Sequence, residues 1–168
     1  MIQTLLFDFD GTLINTNNLI FESYHYAFRK VLNREITMKE ILELYGRPLF
    51  PSLEKYGEKQ EEIYHAYKMF ERQPENETLV KKFDGVYEGI QLLRKHGFLL
   101  GIVTSKRMHA VQKSLEFLTL TNIFDVIVTP DEPTKPKPSP EPVLLACRRL
   151  GVAPDAAVMV GDSVFDLI

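Results

Sequence analysis

Four short runs of apolar residues recur along the chain, at 2–7, 98–103, 126–128 and 156–160. Short apolar runs bounded by turn residues are typical of strands buried in a sheet. An amphipathic helical pattern precedes each of the last three runs, in residues 86–97, 106–120 and 139–151. Strands that alternate with helices predict an α/β fold, in which right-handed crossovers place helices on the faces of a parallel sheet.

Residues 15–83 break this alternation, because they contain no comparable apolar run. Apolar side chains recur there at helical spacing, in one stripe at Ile20, Tyr24, Phe28 and Val31 and in another at Ile63, Tyr67 and Phe70. The stretch Thr37–Glu40 has the pattern of a capping box that opens a helix. We therefore predict an all-helical inserted domain over 15–83, and a core domain made of 1–14 and 84–168.

The composition and net charge limit the classes of protein to which this sequence can belong. The 168 residues are 45% hydrophobic with a formal net charge of −3, so the chain can bury one substantial core but offers no basic field for nucleic acid. The single cysteine, Cys147, cannot form an internal disulfide, and no apolar run reaches the roughly 18 residues that suggest a membrane span. These features predict a cytoplasmic protein that binds neither nucleic acid nor a membrane.

Polar residues collect where the predicted strands end. Asp8 and Asp10 follow the first run, Thr104-Ser105 the second, a lysine-bearing loop the third, and Gly161-Asp162-Ser163 the fourth. The carboxyl ends of parallel strands form the ligand crevice of an open sheet. Turn capping explains Ser105 or Ser163 alone equally well, but it does not explain the whole set. We therefore predict a ligand site at this edge.

Asp8 and Asp10 lie one residue apart, so in a continued strand both would point to the same face. Two carboxylates at one place favour a bound cation. Carboxylate and carbonyl oxygens are ligands of Mg²⁺, which Asp8, Asp162 and the backbone carbonyl of Asp10 could hold together. Mg²⁺ and a lysine suit a transferring phosphoryl group, and an aspartate can attack phosphorus to form an aspartyl-phosphate.

Four segments, in chain order, resemble the motifs of the haloacid-dehalogenase-like phosphohydrolases: DFDGT at 8–12, the strand ending in Thr104, KPSPEP at 137–142 and GDSVFD at 161–166. The resemblance spans essentially the whole chain. It implies a Rossmann-like core whose helical insert is a cap over the active site. Among these phosphohydrolases, the branch of bacterial pyrophosphatases and phosphoglycolate phosphatases is most similar.

The resemblance also implies a role for each matching residue. Asp8 is the nucleophile and a metal ligand, and Asp10 is the acid and base that also lends its carbonyl to the metal. Thr104 and Lys137 hold the phosphoryl oxygens, Asp162 binds Mg²⁺, and Asp166 supports the metal site either as a ligand or through another ligand. Further substrate contacts are expected from Gly11, Thr12 and Ser105 in the same motifs. The presence of Asp10, which the dehalogenases lack, favours phosphoryl transfer.

Two assignments within this scheme have alternatives. Lys135 precedes Lys137 in the same loop and is the second choice for the phosphate-binding lysine. Arg47 lies in the predicted loop 46–49 of the cap, where it could meet a substrate anion or could equally be a solvated loop residue. Relatives continue beyond residue 168 with a further edge strand, so a truncated chain with an exposed fourth strand is expected.

The expected activity is Mg²⁺-dependent hydrolysis of a small phosphorylated metabolite, with pyrophosphate as the first candidate and phosphoglycolate as the second. A sugar-phosphate mutase of the same fold is one alternative, because it uses the same aspartates but must keep water from the aspartyl-phosphate. A catalytically idle remnant that only binds ligands is another. The protein is expected to be a monomer or a homodimer.

Overall fold

The computed structural model describes residues 1–167, and the last residue, Ile168, lies outside the described part. The chain divides into two compact units, one made of Met1–Asn15 and Lys82–Ile168 and the other of Thr16–Lys81. The chain thus leaves the first unit, forms the second as an insertion and returns. The predicted domain division was placed after residues 14 and 83.

The secondary structure is numbered along the chain. The strands are β1 (Thr4–Phe7), β2 (Ile14–Asn15), β3 (Lys81–Lys82), β4 (Leu99–Val103), β5 (Val126–Val128) and β6 (Ala157–Val160). The α-helices are α1 (Asn17–Leu32), α2 (Met38–Leu44), α3 (Leu49–Ser52), α4 (Gln60–Glu71), α5 (Val86–Lys95), α6 (Met108–Leu118) and α7 (Glu141–Leu150). Short 3₁₀ helices occupy Glu54–Lys59, Pro74–Leu79, Pro154–Ala156 and Val164–Asp166. The two-residue strands β2 and β3 were not predicted from the sequence.

The core sheet has four strands in the order β5-β4-β1-β6, and each neighbouring pair is parallel. The four strands are the four apolar runs of the sequence, shortened by one or two residues at the start of three of them. The predicted α/β core with a parallel sheet is confirmed. Because all four strands run in the same direction, their carboxyl ends lie along one edge.

One face of the sheet packs against α7. Leu6 and Val103 from the strands belong to the same buried cluster as Ala146 and Cys147 from the helix. Gly101 lies beside Leu6 across the β1–β4 pair, and a Cβ at Gly101 would stand 2.5 Å from a Leu6 methyl. A glycine is therefore required for the close packing at the middle of β4.

The second unit is helical, and its core lies between α1 and α4. Tyr24 and Phe28 of α1 are buried with Ile63 and Tyr67 of α4, and the Tyr24 and Tyr67 rings meet edge to face at 4.9 Å. Helix α2 begins with the capping box expected at Thr37–Glu40, in which each of the two residues accepts a hydrogen bond from the backbone of the other.

Strand β6 pairs with β1 and forms one edge of the sheet among the described residues. Its residues alternate between the two faces, so Met159 packs toward the α7 side while Val158 and Val160 are 38% and 36% exposed on the other.

No described helix is both long enough and apolar enough to cross a membrane.

Candidate active site

The hydrogen-bond pattern of the sheet continues for one residue beyond the ends of β1 and β4. Asp8 N–H, one residue beyond β1, donates to the Val160 carbonyl at 2.8 Å. Thr104 N–H, one residue beyond β4, donates to the Val128 carbonyl at 3.1 Å. The first residues after β1 and β4 are therefore fixed as firmly as the strands, and both are nearly buried.

Lys137 reaches back to this edge from the loop between β5 and α7. Its ammonium lies 2.9 Å from Asp8 Oδ1 and 2.5 Å from Asp166 Oδ1, and it also donates to the Val103 carbonyl at 3.3 Å. The side chain is only 6% exposed. Lys135, the other candidate, is 80% exposed and pairs with Glu141 at 3.6 Å. The structure brings Lys137 to the aspartates and leaves Lys135 at the surface.

Three carboxylates lie close together at this edge, and two of them contact that ammonium. Asp8, Asp162 and Asp166 each offer an oxygen, and these oxygens lie within 4.8 Å of one another. Asp166 is oriented by the backbone, because the Ser163 N–H donates to its Oδ2 at 3.0 Å in a second capping box. Thr12 Oγ1 lies 3.5 Å from Asp162 Oδ1, so the hydroxyl predicted to bind substrate faces a predicted metal ligand.

Two glycines leave room for these carboxylates. Gly11 has a φ of +83°, and a Cβ there would overlap the Asp162 carboxylate. A Cβ at Gly161 would overlap the Asp166 carboxylate. Gly11 therefore fits as a residue that allows close approach of an acidic side chain. The predicted contact between Gly11 and substrate stays a prediction.

The ammonium of Lys137 contacts two of the three carboxylates of the cluster, those of Asp8 and Asp166. Burial raises the pKa of Asp8, an effect that Lys137 partly opposes, and burial also raises the pKa of Asp162. A set of clustered carboxylate oxygens is the kind of donor set that a hard divalent cation prefers. The residues present therefore fit Mg²⁺.

Asp10 has a different partner, which the sequence analysis missed. Lys106 Nζ lies 2.7 Å from Asp10 Oδ1 and stands 5.7 Å above the centre of the Phe9 ring. Strand β1 ends at Phe7, so the alternation that was expected to bring both carboxylates to one face does not extend to Asp10. Asp8 and Asp10 are instead bound by different lysines. The available signal was the position of Lys106, two residues after Thr104.

The loop that carries Lys106 is anchored at both ends. Lys106 N–H donates to Thr104 Oγ1 at 3.1 Å, and Met108 N–H at the start of α6 donates to Asp131 Oδ2 at 3.0 Å. Arg107 pairs with the other oxygen of Asp131 at 3.0 Å. Ser105 is exposed within this loop.

Arg47 lies between α2 and α3 in the helical unit, and its side chain is exposed. Exposure is compatible with both roles considered for it, so contact between Arg47 and a substrate stays a prediction.

The sequence profile of the haloacid dehalogenase-like hydrolases matches residues 5–168. The chain belongs to this family. Pyrophosphatase PpaX from Bacillus cereus (strain AH820) is 39% identical over 168 residues, which cover 99% of this chain and 77% of that protein. The predicted family, and with it a hydrolase, is confirmed.

Solved structures of the family share the fold. A haloacid dehalogenase-like family hydrolase from Streptococcus pneumoniae superposes with a TM-score of 0.86 at 23% identity, covering 99% of this chain and 78% of that one. CbbY from Rhodobacter sphaeroides, solved in complex with phosphate, superposes with a TM-score of 0.78 at 25% identity, covering 99% of this chain and 80% of that one.

Proposed function

We propose that this hydrolase is a Mg²⁺-dependent phosphatase that cleaves a small phosphorylated substrate, with pyrophosphate as the preferred candidate, through an aspartyl-phosphate on Asp8. The observation that carries the proposal is the placement of Asp8. Its carboxylate lies at the carboxyl end of β1, is nearly buried, and meets both a buried ammonium and two further carboxylates.

In the first step, an Asp8 oxygen attacks phosphorus and the bond from phosphorus to the leaving-group oxygen breaks. Asp10 donates its carboxyl proton to that oxygen. Lys137 and Thr104 contact the phosphoryl oxygens, where the ammonium offsets the charge that accumulates in the transition state. In the second step, Asp10 takes a proton from water, which attacks phosphorus and releases inorganic phosphate and the free Asp8 carboxylate.

Asp8, Asp162 and Asp166 would hold the metal ion together with the backbone carbonyl of Asp10. A bound Mg²⁺ supplies positive charge that lets an anionic carboxylate approach an anionic phosphate. Two of these side chains are also positioned by the protein itself, since Lys137 joins Asp8 to Asp166 and the Ser163 N–H donates to Asp166.

Pyrophosphate is the first candidate substrate because the relatives that match the whole chain at 38–39% identity are named as pyrophosphatases. Phosphoglycolate is the second candidate, on the resemblance of the sequence to that branch of the family. Either substrate is a small anion, so no macromolecular partner is needed. Location in the cytoplasm and a monomeric or homodimeric state belong to the proposal as well.

The test is release of inorganic phosphate from pyrophosphate, phosphoglycolate and a panel of sugar phosphates, with Mg²⁺ and with a chelator. Asp8→Asn is expected to abolish release, because an amide is a poor nucleophile. Asp155→Asn is the matched control, because Asp155 is an exposed residue of the 3₁₀ turn before β6. It is expected to keep parental activity.

Each other outcome has a definite meaning. Transfer of the phosphoryl group to a sugar rather than to water would identify a mutase. No turnover, together with no gain in melting temperature from Mg²⁺, would favour an idle remnant, because a formed metal site is stabilised by ligand mass action. Equal activity of Asp8→Asn and the parent would rule out the aspartyl-phosphate.

A further inference from the structure

Lys106 is a mostly buried lysine whose position is fixed by several contacts. Its side chain is 19% exposed, its ammonium meets Asp10 Oδ1 at 2.7 Å, and the Phe9 ring lies beneath it. Its backbone N–H is bound to the Thr104 hydroxyl. A solvated lysine would sample many rotamers, whereas Lys106 is held by contacts of both its backbone N–H and its ammonium group.

Asp10, which pairs with Lys106, determines which part of a substrate the Lys106 ammonium can contact. If Asp10 donates a proton to the leaving group, the leaving-group oxygen must come within hydrogen-bond distance of the Asp10 carboxyl. The Lys106 ammonium would then lie next to the atoms bonded to that oxygen. An ammonium carries three N–H donors and the contact with Asp10 uses one, so others can meet a substrate oxygen.

Lys106 is distinct from the lysine that faces the transferred phosphoryl group. Lys137 is bound to Asp8 and Asp166, in the carboxylate cluster, while Lys106 is bound to Asp10. In the proposed mechanism, the Lys137 ammonium therefore lies near the transferred phosphoryl group and the Lys106 ammonium lies near the leaving group. A second cation at the leaving-group end can bind that group directly when the group carries further anionic oxygens.

We infer that Lys106 binds the departing half of the substrate and makes the site selective for a leaving group that carries further anionic oxygens besides the one bonded to the transferred phosphorus, such as the phosphate that departs from pyrophosphate. The inference rests on the proposed function and names the substrate class of the same site. It differs from a purely positional role, in which Lys106 would only orient Asp10 and would affect all leaving groups alike.

The test compares kcat/KM for pyrophosphate and for p-nitrophenyl phosphate in Lys106→Met, Lys106→Arg and the parent. Phosphate and p-nitrophenolate are leaving groups of similar basicity at neutral pH, but only phosphate has further anionic oxygens for Lys106 to bind. Losing a charge-assisted hydrogen bond corresponds to about a 10- to 100-fold effect. We expect Lys106→Met to lose that much on pyrophosphate and less than about threefold on p-nitrophenyl phosphate.

Lys106→Arg keeps the charge and is expected to recover most of the activity on pyrophosphate. Lys95→Met is the matched control, since it removes the same charge from the exposed end of α5. An equal loss on both substrates would overturn the inference in favour of a positional role. No loss on either substrate would overturn it as well.

A binding measurement separates this inference from the proposed function. Calorimetric titration with imidodiphosphate, which keeps both phosphoryl groups but resists cleavage, is run in Mg²⁺ beside inorganic phosphate. Lys106→Met should weaken imidodiphosphate at least about tenfold and leave inorganic phosphate within about threefold. If the parent binds imidodiphosphate no more tightly than inorganic phosphate, the inference fails. If it binds but turns over neither substrate, the proposed hydrolysis fails and the binding role stands.

Discussion

Lys137→Met removes the ammonium that joins two buried carboxylates, Asp8 and Asp166, while keeping most of the volume of the side chain. The wild-type ammonium lies between Asp8 and Asp166, whose side chains are 13% and 3% exposed. Methionine fills the same space but donates no hydrogen bond. The variant therefore keeps the packing of the loop and loses the charge, so its behaviour reports the electrostatics of the cluster.

Removing one partner of a buried ion pair costs about 3–5 kcal/mol, because the remaining charge is left without compensation. For a chain of this size, each kcal/mol shifts the melting temperature by roughly 2–4 °C. At neutral pH without added metal, we expect Lys137→Met to melt about 6–20 °C below the parent. Lys135→Met, which removes an exposed lysine two residues earlier in the same loop, should change the melting temperature by less than about 2 °C.

The difference in unfolding free energy between the parent and Lys137→Met, here called the deficit, should depend on pH in a defined direction. Burial already raises the pKa of Asp8 in the parent, and Lys137 opposes that rise, so its loss raises the pKa further. A carboxyl whose pKa is raised on folding binds its proton more tightly in the folded state, which favours folding at low pH and loses that advantage as pH rises through the folded pKa. The Lys137→Met deficit should therefore be smaller at pH 5 than at pH 8.

Scanning calorimetry of parent and variant at both pH values, with a chelator and with Mg²⁺, measures these effects. Added Mg²⁺ should also reduce the deficit, since it supplies the missing positive charge. A deficit below about 1 kcal/mol, or a large one that neither low pH nor Mg²⁺ reduces, would refute the placement of Lys137 as the counter-ion of this cluster.

Gly161→Ala should weaken Mg²⁺ binding measured by titration at least about tenfold, because its Cβ would overlap the Asp166 carboxylate; unchanged affinity would contradict that crowding. Glu40→Gln should cost about 0.5 kcal/mol in denaturant unfolding at pH 7. The pKa of Glu40 is lowered to about 2, mainly by its bond with Arg34, so the cost should fade as pH drops from about 4.5 toward 2. Arg47→Ala should raise KM for an anionic substrate more than it lowers kcat, and unchanged kinetics would remove Arg47 from the site.

The core of the fold could be predicted because its signals are local. Each of the four apolar runs became a strand of the sheet, and the helical stripes at Tyr24 and Ile63 became the buried face of the insert. The Thr37–Glu40 capping box depends on a spacing of three residues and formed as expected. The pairing of β2 with β3 could not be predicted in this way, because two-residue strands leave no periodicity to detect.

The partners of the site residues could be predicted only in part, because they depend on contacts between distant segments. The rule that strand ends share an edge predicted that Asp8 and Asp162 lie together, and their carboxylates do. Nothing in the spacing of Lys135 and Lys137 shows which one turns inward, whereas the fold buries one and exposes the other. The family pattern favoured Lys137, and the structure gives a physical reason, since only Lys137 reaches two buried carboxylates.

The largest gap between sequence and structure concerns how charge is distributed among the four aspartates. Asp8 and Asp10 are neighbours in sequence, and alternation along a strand predicted one shared patch of negative charge. Strand β1 ends before both of them, and the structure pairs Asp10 with Lys106 while Asp8 lies with Asp162 and Asp166. The Asp8, Asp162 and Asp166 carboxylates offer oxygens within 4.8 Å of one another, which suits a divalent cation, whereas the Asp10 carboxylate pairs with Lys106. This division supports the proposed separation of metal binding at the cluster from proton transfer at Asp10, and it underlies the role inferred for Lys106 at the departing group.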